Sequence, residues 1–284
     1  MINMKKKITK RLLEGYKKYL YEQEKSQATI DKYMCDLKKL TKFVDNRELN
    51  KMLIIEYKTF LKEMKYKTSS INSYLVAANR FFDYIGRHDL KVKTYSVQKK
   101  IFIPENKELS REEYRRLVNT ANQQGKKRMA LILQTICATG IRVSELSMIT
   151  VSAVKSGVVT IYSKGKERQI IILRDLQLRL LMYINRSKIK HGSIFQTKSG
   201  KPVDRTWIWR EMKKLCEKAD VEKDKVFPHN LRHLFARTFY SIYKDIAKLA
   251  DILGHSSIET TRIYLRENYF KYRKQIEQLN LLIE

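Results

Sequence analysis

Apolar residues recur every three to four positions along most of this chain, and the one clear change of period is GVVTIYSKGKERQIIIL, residues 157–173. Valines and isoleucines there flank a KGKE turn, the pattern of a hairpin with strands near 158–163 and 168–173. One hairpin inside an otherwise helical pattern restricts the fold to a mainly α architecture with a small antiparallel β-sheet. Four helical stretches come first: KRLLEGYKKYLYEQE, QATIDKYMCDLKKLTKFV, LIIEYKTFLKEM and SINSYLVAANRFFDYIG. In the second, Ile30, Tyr33, Leu37, Leu40 and Val44 make an apolar stripe. These stretches predict a four-helix domain over residues 1–90. Gly86 is a natural stop, and KVKTYSVQKKIFIPEN, with four lysines and Pro104, reads as a basic linker over 91–106. Ser110 and Glu113 have capping-box spacing, so a second domain, 107–284, starts there. Helical patterns resume after the hairpin at LQLRLLMYINRSK, WIWREMKKLCEKA and PHNLRHLFARTFYSIY.

The 59 basic and 30 acidic residues leave a net charge of +29, a field that attracts a polyanion. The excess is spread: 24 basic against 11 acidic residues in 1–100, and 35 against 19 in 101–284. Both halves are therefore expected to touch nucleic acid. No stretch reaches the roughly 18 apolar residues of a membrane span, and the basic N-terminus is followed by no apolar signal region. A cytoplasmic location and no membrane partner are expected. Cys35, Cys137 and Cys216 lie far apart, without CxxC spacing, and predict reduced thiols rather than a disulfide framework or a zinc knuckle.

Several short motifs are weak singly. In ATGIRVSEL, Gly140 breaks one helical pattern before another begins; Arg142 and Glu145 also have the spacing of an ordinary ion pair. In PHNLRHLFAR, Pro228 favours a first helical turn and puts His229 and Arg232 on one face. His229 and His233 have the spacing of a zinc helix, but that pattern needs Glu where Asn230 stands, so no metal is expected. Lys164, Lys166 and Arg168 crowd the hairpin turn. LGHSSIETTRIYL places His255 nine residues before Tyr264.

Taken in order, ATGIRVSEL, SKGKER, HNLRHLFA and LGHSSIETTRIY give the chain a resemblance, over its full length, to the tyrosine recombinases, also called the phage integrase family. The resemblance implies a core-binding SAM-like domain followed by a catalytic domain of the DNA breaking-rejoining fold. It implies that Arg142, Lys164, His229, Arg232, His255 and Tyr264 are catalytic, with Glu145 as a supporting acid. Tyr264 would attack a phosphodiester and form a covalent 3′-phosphotyrosine, Arg142 and Arg232 would clamp the phosphate, and a hairpin lysine would protonate the leaving 5′-oxygen. Such chemistry uses no cofactor, no ATP and no metal, because guanidinium groups supply the positive charge. Double-stranded DNA is the partner, and strand exchange passes through a Holliday junction held by a tetramer. Thr29, Lys32, Tyr33, Asn72 and Arg80 fall where the family's helices meet the major groove, and Lys166 is a further DNA contact.

The hairpin motif is one residue shorter than the family often has, so Lys164 is the first choice for the acid and Lys166 a competitor. Leu265 and Arg266 follow the tyrosine where the Xer branch commonly has Thr and His, which leans toward a mobile-element integrase. No arm-binding segment precedes the first domain, which favours a compact enzyme over the larger lambda-type integrases. The stretch ENYFKYRKQIEQLNLLIE carries Tyr269, Tyr272, Ile276, Leu279 and Ile283 in a stripe, so a helix over about 268–284 either docks on a neighbouring subunit or folds onto its own body. A related DNA-relaxing enzyme and a DNA-binding protein without chemistry are the alternative functions.

Overall fold

Thr9, Ser26 and Asn50 each turn a side-chain oxygen onto the backbone N–H three residues on, and with it start α1 (Lys10–Glu22), α2 (Gln27–Val44) and α3 (Lys51–Glu63). In this computed structural model, residues 7–96, 108–163, 166–265, 273–274 and 276–281 are described. The chain divides into two units, Met1–Lys99 and Lys100–Glu284.

α4 (Thr68–Tyr84) completes the first unit. Its core gathers Tyr16 and Leu20 of α1, Ile30, Leu37, Leu40 and Val44 of α2, Ile54, Tyr57 and Leu61 of α3, and Leu75, Phe81 and Phe82 of α4. Each such aliphatic side chain, removed from water, contributes roughly 1.5–3 kcal/mol before the entropy of ordering is counted.

The stretch expected to be linker begins differently from its sequence pattern. Val92 is buried, and the extended segment 91–95 lies along α3 and α4. Asn79 pairs both its amide atoms with the Val92 backbone, at 2.8 Å to the carbonyl and 3.0 Å from the N–H. Asn72, seven residues earlier on the same helix, does the same to Tyr95 at 2.8 and 2.8 Å. From α3, Lys58 donates to the Lys93 carbonyl at 2.7 Å and Lys51 donates to that of Lys91. Seven residues is close to two helical turns, so each pair faces one side. An asparagine can satisfy a peptide's donor and acceptor together, which is why this pattern, apolar only at every third residue, is ordered. Residues 97–106 of the expected linker lie outside the described residues.

The second unit opens with α5 (Arg111–Gln123), capped as its sequence predicts: Glu113 N–H donates to Ser110 Oγ at 3.0 Å and Ser110 N–H to Glu113 Oε2 at 2.7 Å. α6 (Lys127–Thr139) runs through the core, with Met129, Ala130, Ile132, Leu133 and Ile136 all buried. A 3-10 turn (Val143–Met148) and α7 (Val151–Ser156) lead to the hairpin, β1 (Val158–Ser163) and β2 (Lys166–Ile171). Its antiparallel register runs from Val158 opposite Ile171 to Ser163 opposite Lys166. β2 therefore starts two residues before the expected 168, because the antiparallel ladder runs on until Ser163 stands opposite Lys166. Val159, Ile161 and Ile170 face the core, and Tyr162 and Ile171 face outward.

α8 (Arg174–Arg186), α9 (Arg205–Leu215), α10 (Pro228–Tyr243), α11 (Ile246–Leu253) and α12 (Ile258–Arg262) follow, then a 3-10 turn (Ile263–Leu265). Of the expected C-terminal stripe, Ile276 and Leu279 are described and exposed, while Tyr269, Tyr272 and Ile283 lie outside the described residues. Among the described residues no helix is long and apolar enough to cross a membrane.

The asparagine clamp has a direct consequence. Each lost hydrogen bond costs about 1 kcal/mol and the two asparagines make four, so replacing Asn72 and Asn79 with Ala favours local opening of the 91–95 segment by up to about 1,000-fold. Trypsin should cut after Lys91 and Lys93 slowly in the parent chain and at least about tenfold faster in Asn72→Ala/Asn79→Ala, with the fragments identified by mass spectrometry.

Candidate active site

Two helices end on glycines that turn their last carbonyls toward one guanidinium. α6 stops at Gly140, φ +64°, where a Cβ would stand 2.6 Å from Phe235 Cδ1. α11 stops at Gly254, φ +63°, where a Cβ would stand 2.5 Å from Arg168 Cδ. Arg232, from the second turn of α10, donates through Nη1 to the Gly140 carbonyl at 2.5 Å and through Nη2 to the Leu253 carbonyl at 2.6 Å. It is only 1% exposed. Carbonyls at helix C-termini carry partial negative charge, which offsets part of the cost of burying this cation. Its Nε–H is buried with no partner among the described residues.

Nη2 of Arg232 also lies 3.0 Å from His255 Nε2, and His255 Nδ1 lies 2.9 Å from Thr261 Oγ1. A guanidinium cannot accept, so Nε2 is the acceptor and the proton sits on Nδ1, bonded to Thr261. The ring is neutral in that arrangement. Burial, with Arg232, Arg142 and Arg168 nearby, accordingly lowers the His255 pKa to about 4.

Arg142 follows the Gly140 turn in extended conformation and is gripped by Glu145, which is 5% exposed. Glu145 accepts from the Arg142 N–H at 2.9 Å and from its Nη1 at 2.9 Å, while Nη2 donates to the Gly254 carbonyl at 3.3 Å. The expected spacing pair is thus half buried, not a surface pair. Arg168, on β2, donates from Nη2 to Glu145 Oε2 at 2.6 Å and from Nη1 to the Leu253 carbonyl.

Tyr264 is 5% exposed and belongs to a small apolar cluster with Ala236, Leu249 and Leu253. Its ring lies among three imidazoles, with centroids 4.2 Å from His233, 5.3 Å from His255 and 5.4 Å from His229. Burial and then repulsion from Arg142 lower the Arg232 pKa to about 10, and the nearby Tyr264 hydroxyl opposes that shift. His233 falls to about 3, through burial first and then His229, Arg237 and Arg232. His229, whose edge reaches solvent, is lowered by desolvation first and then by Arg232 and Arg142. Both rings are neutral at pH 7. Three guanidinium groups around one carboxylate leave this site strongly cationic.

Five of the expected chemical residues, Arg142, His229, Arg232, His255 and Tyr264, therefore meet in one place. Lys164 lies outside the described residues, and Lys166 is placed only as a β2 residue opposite Ser163. Thr29, Lys32 and Tyr33 sit on one side of α2, and Arg80 is exposed on α4. The Thr29 hydroxyl bonds Ser26 at 2.9 Å, and Lys32 is paired with the buried Asp36. The Asn72 amide is fully engaged with Tyr95, a competing use that its sequence gave no sign of. Sequence reasoning missed the ring contact of His233 with Tyr264, the tautomer lock at Thr261 and the bridge at Arg168. It also missed Lys39, whose ammonium lies 4.1 Å from the Tyr66 ring centroid and 4.9 Å from that of Tyr74, beside Lys32. Basic residues interleaved with tyrosines were the available signal. Among the described residues no group of three or more His, Cys, Asp or Glu side chains is placed to hold a metal ion.

Residues 107–270 match the phage integrase family, and residues 13–89 match the phage integrase N-terminal SAM-like domain. The tyrosine recombinase XerD of Staphylococcus saprophyticus is 32% identical over 158 residues, 52% of this chain and 53% of the relative. The chain thus aligns with about half the length of that curated relative. The crystal structure of XerA recombinase is similar at a TM-score of 0.54 and 26% identity, covering 97% of this chain and 100% of that one. A lambda integrase tetramer bound to a Holliday junction shares the fold, with a TM-score of 0.72 at 17% identity over 93% of this chain and 79% of its own.

Neutral, buried histidines link stability to pH. Their folded pKa values, about 4 for His255 and about 3 for His233, lie below the ordinary value near 6.5. The unfolded chain therefore binds more protons than the folded one as pH falls below about 6.5, and stability drops from there down to about pH 3–4. In thermal melts the Tm of the parent chain should fall across that window. The Tm of His233→Phe, which keeps an aromatic ring against Tyr264 but cannot titrate, should fall less steeply.

Proposed function

Because the chain belongs to the phage integrase family, we propose that it is a site-specific recombinase that cuts and rejoins double-stranded DNA through Tyr264. The observation that carries this reading is the Tyr264 ring held among three neutral imidazoles, with its hydroxyl near the buried Arg232, which Arg142 also neighbours.

A scissile phosphate enters at the side where Arg142 and His229 reach solvent. Arg142 and the unpaired Nε–H of Arg232 bind its non-bridging oxygens, adding the partner that the buried donor lacks. Tyr264 Oη attacks phosphorus; a bond from Oη to phosphorus forms as the bond from phosphorus to the 5′-oxygen breaks. The phenolic proton passes to His229, which is neutral at pH 7 and, unlike His255, is not committed to Arg232. The hairpin lysine, Lys164 or Lys166, returns a proton to the 5′-oxygen. Charge that builds on the phosphate during attack is met by fixed guanidinium groups, so no metal enters the step. The product is a 3′-phosphotyrosine, whose ester is close in energy to the bond it replaces, and a second 5′-hydroxyl reverses the step without ATP.

Strand exchange between two duplexes takes four active sites and a four-way junction, the arrangement that the lambda integrase structure contains. On the first unit, Lys32, Lys39, Tyr33, Tyr66, Tyr74 and Arg80 make the face that meets the DNA backbone and groove, with Thr29 at its edge. Binding through phosphates weakens with salt, each neutralised phosphate contributing a slope of about −0.9.

The test is covalent trapping on nicked duplexes tiled from the DNA that flanks the gene. The parent protein should leave an SDS-stable adduct on one flank. Tyr264→Phe should leave none while binding DNA as tightly, and Arg232→Lys should cleave at least 100-fold more slowly, in line with loss of one oxyanion donor at roughly 10²–10³. An adduct that persists in Tyr264→Phe would refute the assignment.

A further inference from the structure

Arg168 stands outside the set of groups that touch the phosphate, yet three parts of the site meet at it. Its side chain is only 13% exposed. Nη2 donates to Glu145 Oε2 at 2.6 Å, and that same oxygen holds the backbone N–H of Arg142 at 2.9 Å. Nη1 donates to the Leu253 carbonyl, which also accepts from Arg232 at 2.6 Å. The residue itself is on β2, opposite Ile161, which is buried in the core. In the sequence Lys166 comes two residues earlier, at the start of the strand, and Lys164 four residues earlier.

We propose that Arg168 is a positioning residue that ties the β1–β2 hairpin, and with it the lysine that protonates the leaving oxygen, to both phosphate-binding arginines. This rests on the recombinase reading above. Three observations support it. The two Nη groups diverge onto acceptors from different segments, the Val143–Met148 turn and the end of α11, which a planar fork can bridge and a single ammonium cannot. Gly254 has no Cβ, and one there would fall 2.5 Å from Arg168 Cδ and 3.0 Å from Cζ, so the α11 end is shaped around this side chain. The bridge also crosses long stretches of sequence, from 168 to 145 and to 253, so secondary structure alone would not hold these segments in register.

A rigid tie of this kind makes a specific chemical prediction. If Arg168 is lost, the hairpin lysine and the arginines drift apart, and a misplacement near 1 Å costs roughly 100-fold in rate. Part of that loss belongs to proton delivery. A nicked duplex with sulfur in place of the bridging 5′-oxygen has a leaving group that needs no proton, since a thiol ionises near pH 8.5.

Single-turnover cleavage of the oxygen and sulfur substrates should be compared for the parent chain, Arg168→Met, Arg168→Lys, Lys164→Ala and Lys166→Ala, with DNA affinity measured for each. Arg168→Met should cleave the oxygen substrate about 100-fold slower with affinity changed less than about threefold, and the sulfur substrate should recover at least tenfold of that loss. Arg168→Lys should resemble Arg168→Met, because charge without the fork is not enough. Equal defects on both substrates, parent-like rates in Arg168→Met, or full activity in Arg168→Lys would each overturn the proposal. The general-acid reading is judged separately: sulfur should rescue one of the two lysine variants nearly completely, and rescue of neither defeats that reading.

Hydrogen exchange on unliganded protein gives a second measure, independent of chemistry and of folding yield. Arg168→Met should lose amide protection in β2 and at residues 253–255 while α5, α6 and α8 keep theirs. Loss spread evenly over the second unit would mean a merely structural role, and no loss at 253–255 would break the proposed tie.

Discussion

The burial of Arg232 against two helix ends is the constraint on which the rest of the catalytic unit depends. A cation with 1% exposure is tolerable only if its donors are met, and Gly140 and Leu253 meet two of them with carbonyls that helical geometry leaves unpaired. Both helices must end abruptly for this to happen, and each ends on a left-handed glycine. The requirement propagates outward. The turn after Gly140 delivers Arg142, and the turn after Gly254 delivers His255, so a single packing solution places three charged or polar groups at once.

Around that guanidinium the polar groups are arranged as a connected set. Glu145 is shared by Arg142 and Arg168, the Leu253 carbonyl by Arg168 and Arg232, and His255 links Arg232 to Thr261. Positive charge exceeds negative charge throughout, and the imidazoles respond by staying neutral. A site that holds uncompensated guanidinium groups beside neutral rings and a phenol is arranged for an anion that arrives with its own charge. Its field needs no rearrangement when that anion becomes more negative.

The first unit shows a different use of polar side chains. Asn72 and Asn79 act on the backbone of 91–95, with Lys51 and Lys58 on the carbonyls between. Recognition of peptide groups leaves the segment's own side chains to other uses: Val92 joins the core, Lys91 pairs with Asp83 at 2.9 Å, and Lys93 is exposed. Lys39 of α2, by contrast, sets its ammonium against the half-buried rings of Tyr66 and of Tyr74 on α4, a cation–π pairing on the face proposed to meet a polyanion.

Much of this was legible in the linear chain, for reasons that are local. The α2 stripe of Ile30, Leu37, Leu40 and Val44, the Ser110–Glu113 capping box, Pro228 at the start of α10 and the alternating valines and isoleucines of the hairpin depend on neighbours within a few residues. The order of Arg142, His229, Arg232, His255 and Tyr264 marked the chemistry, since those residue types suit phosphoryl transfer wherever they meet. What only the tertiary structure decided were pairings across long separations: Arg168 with Glu145 and Leu253, Arg232 with Gly140, and Asn72 with Tyr95. A side-chain amide or guanidinium has the same local pattern whether it faces DNA, solvent or a distant carbonyl. Which it meets is settled only when the core brings the remote helix ends together, because an unpaired polar group is costly once buried and sequence neighbours do not supply these partners.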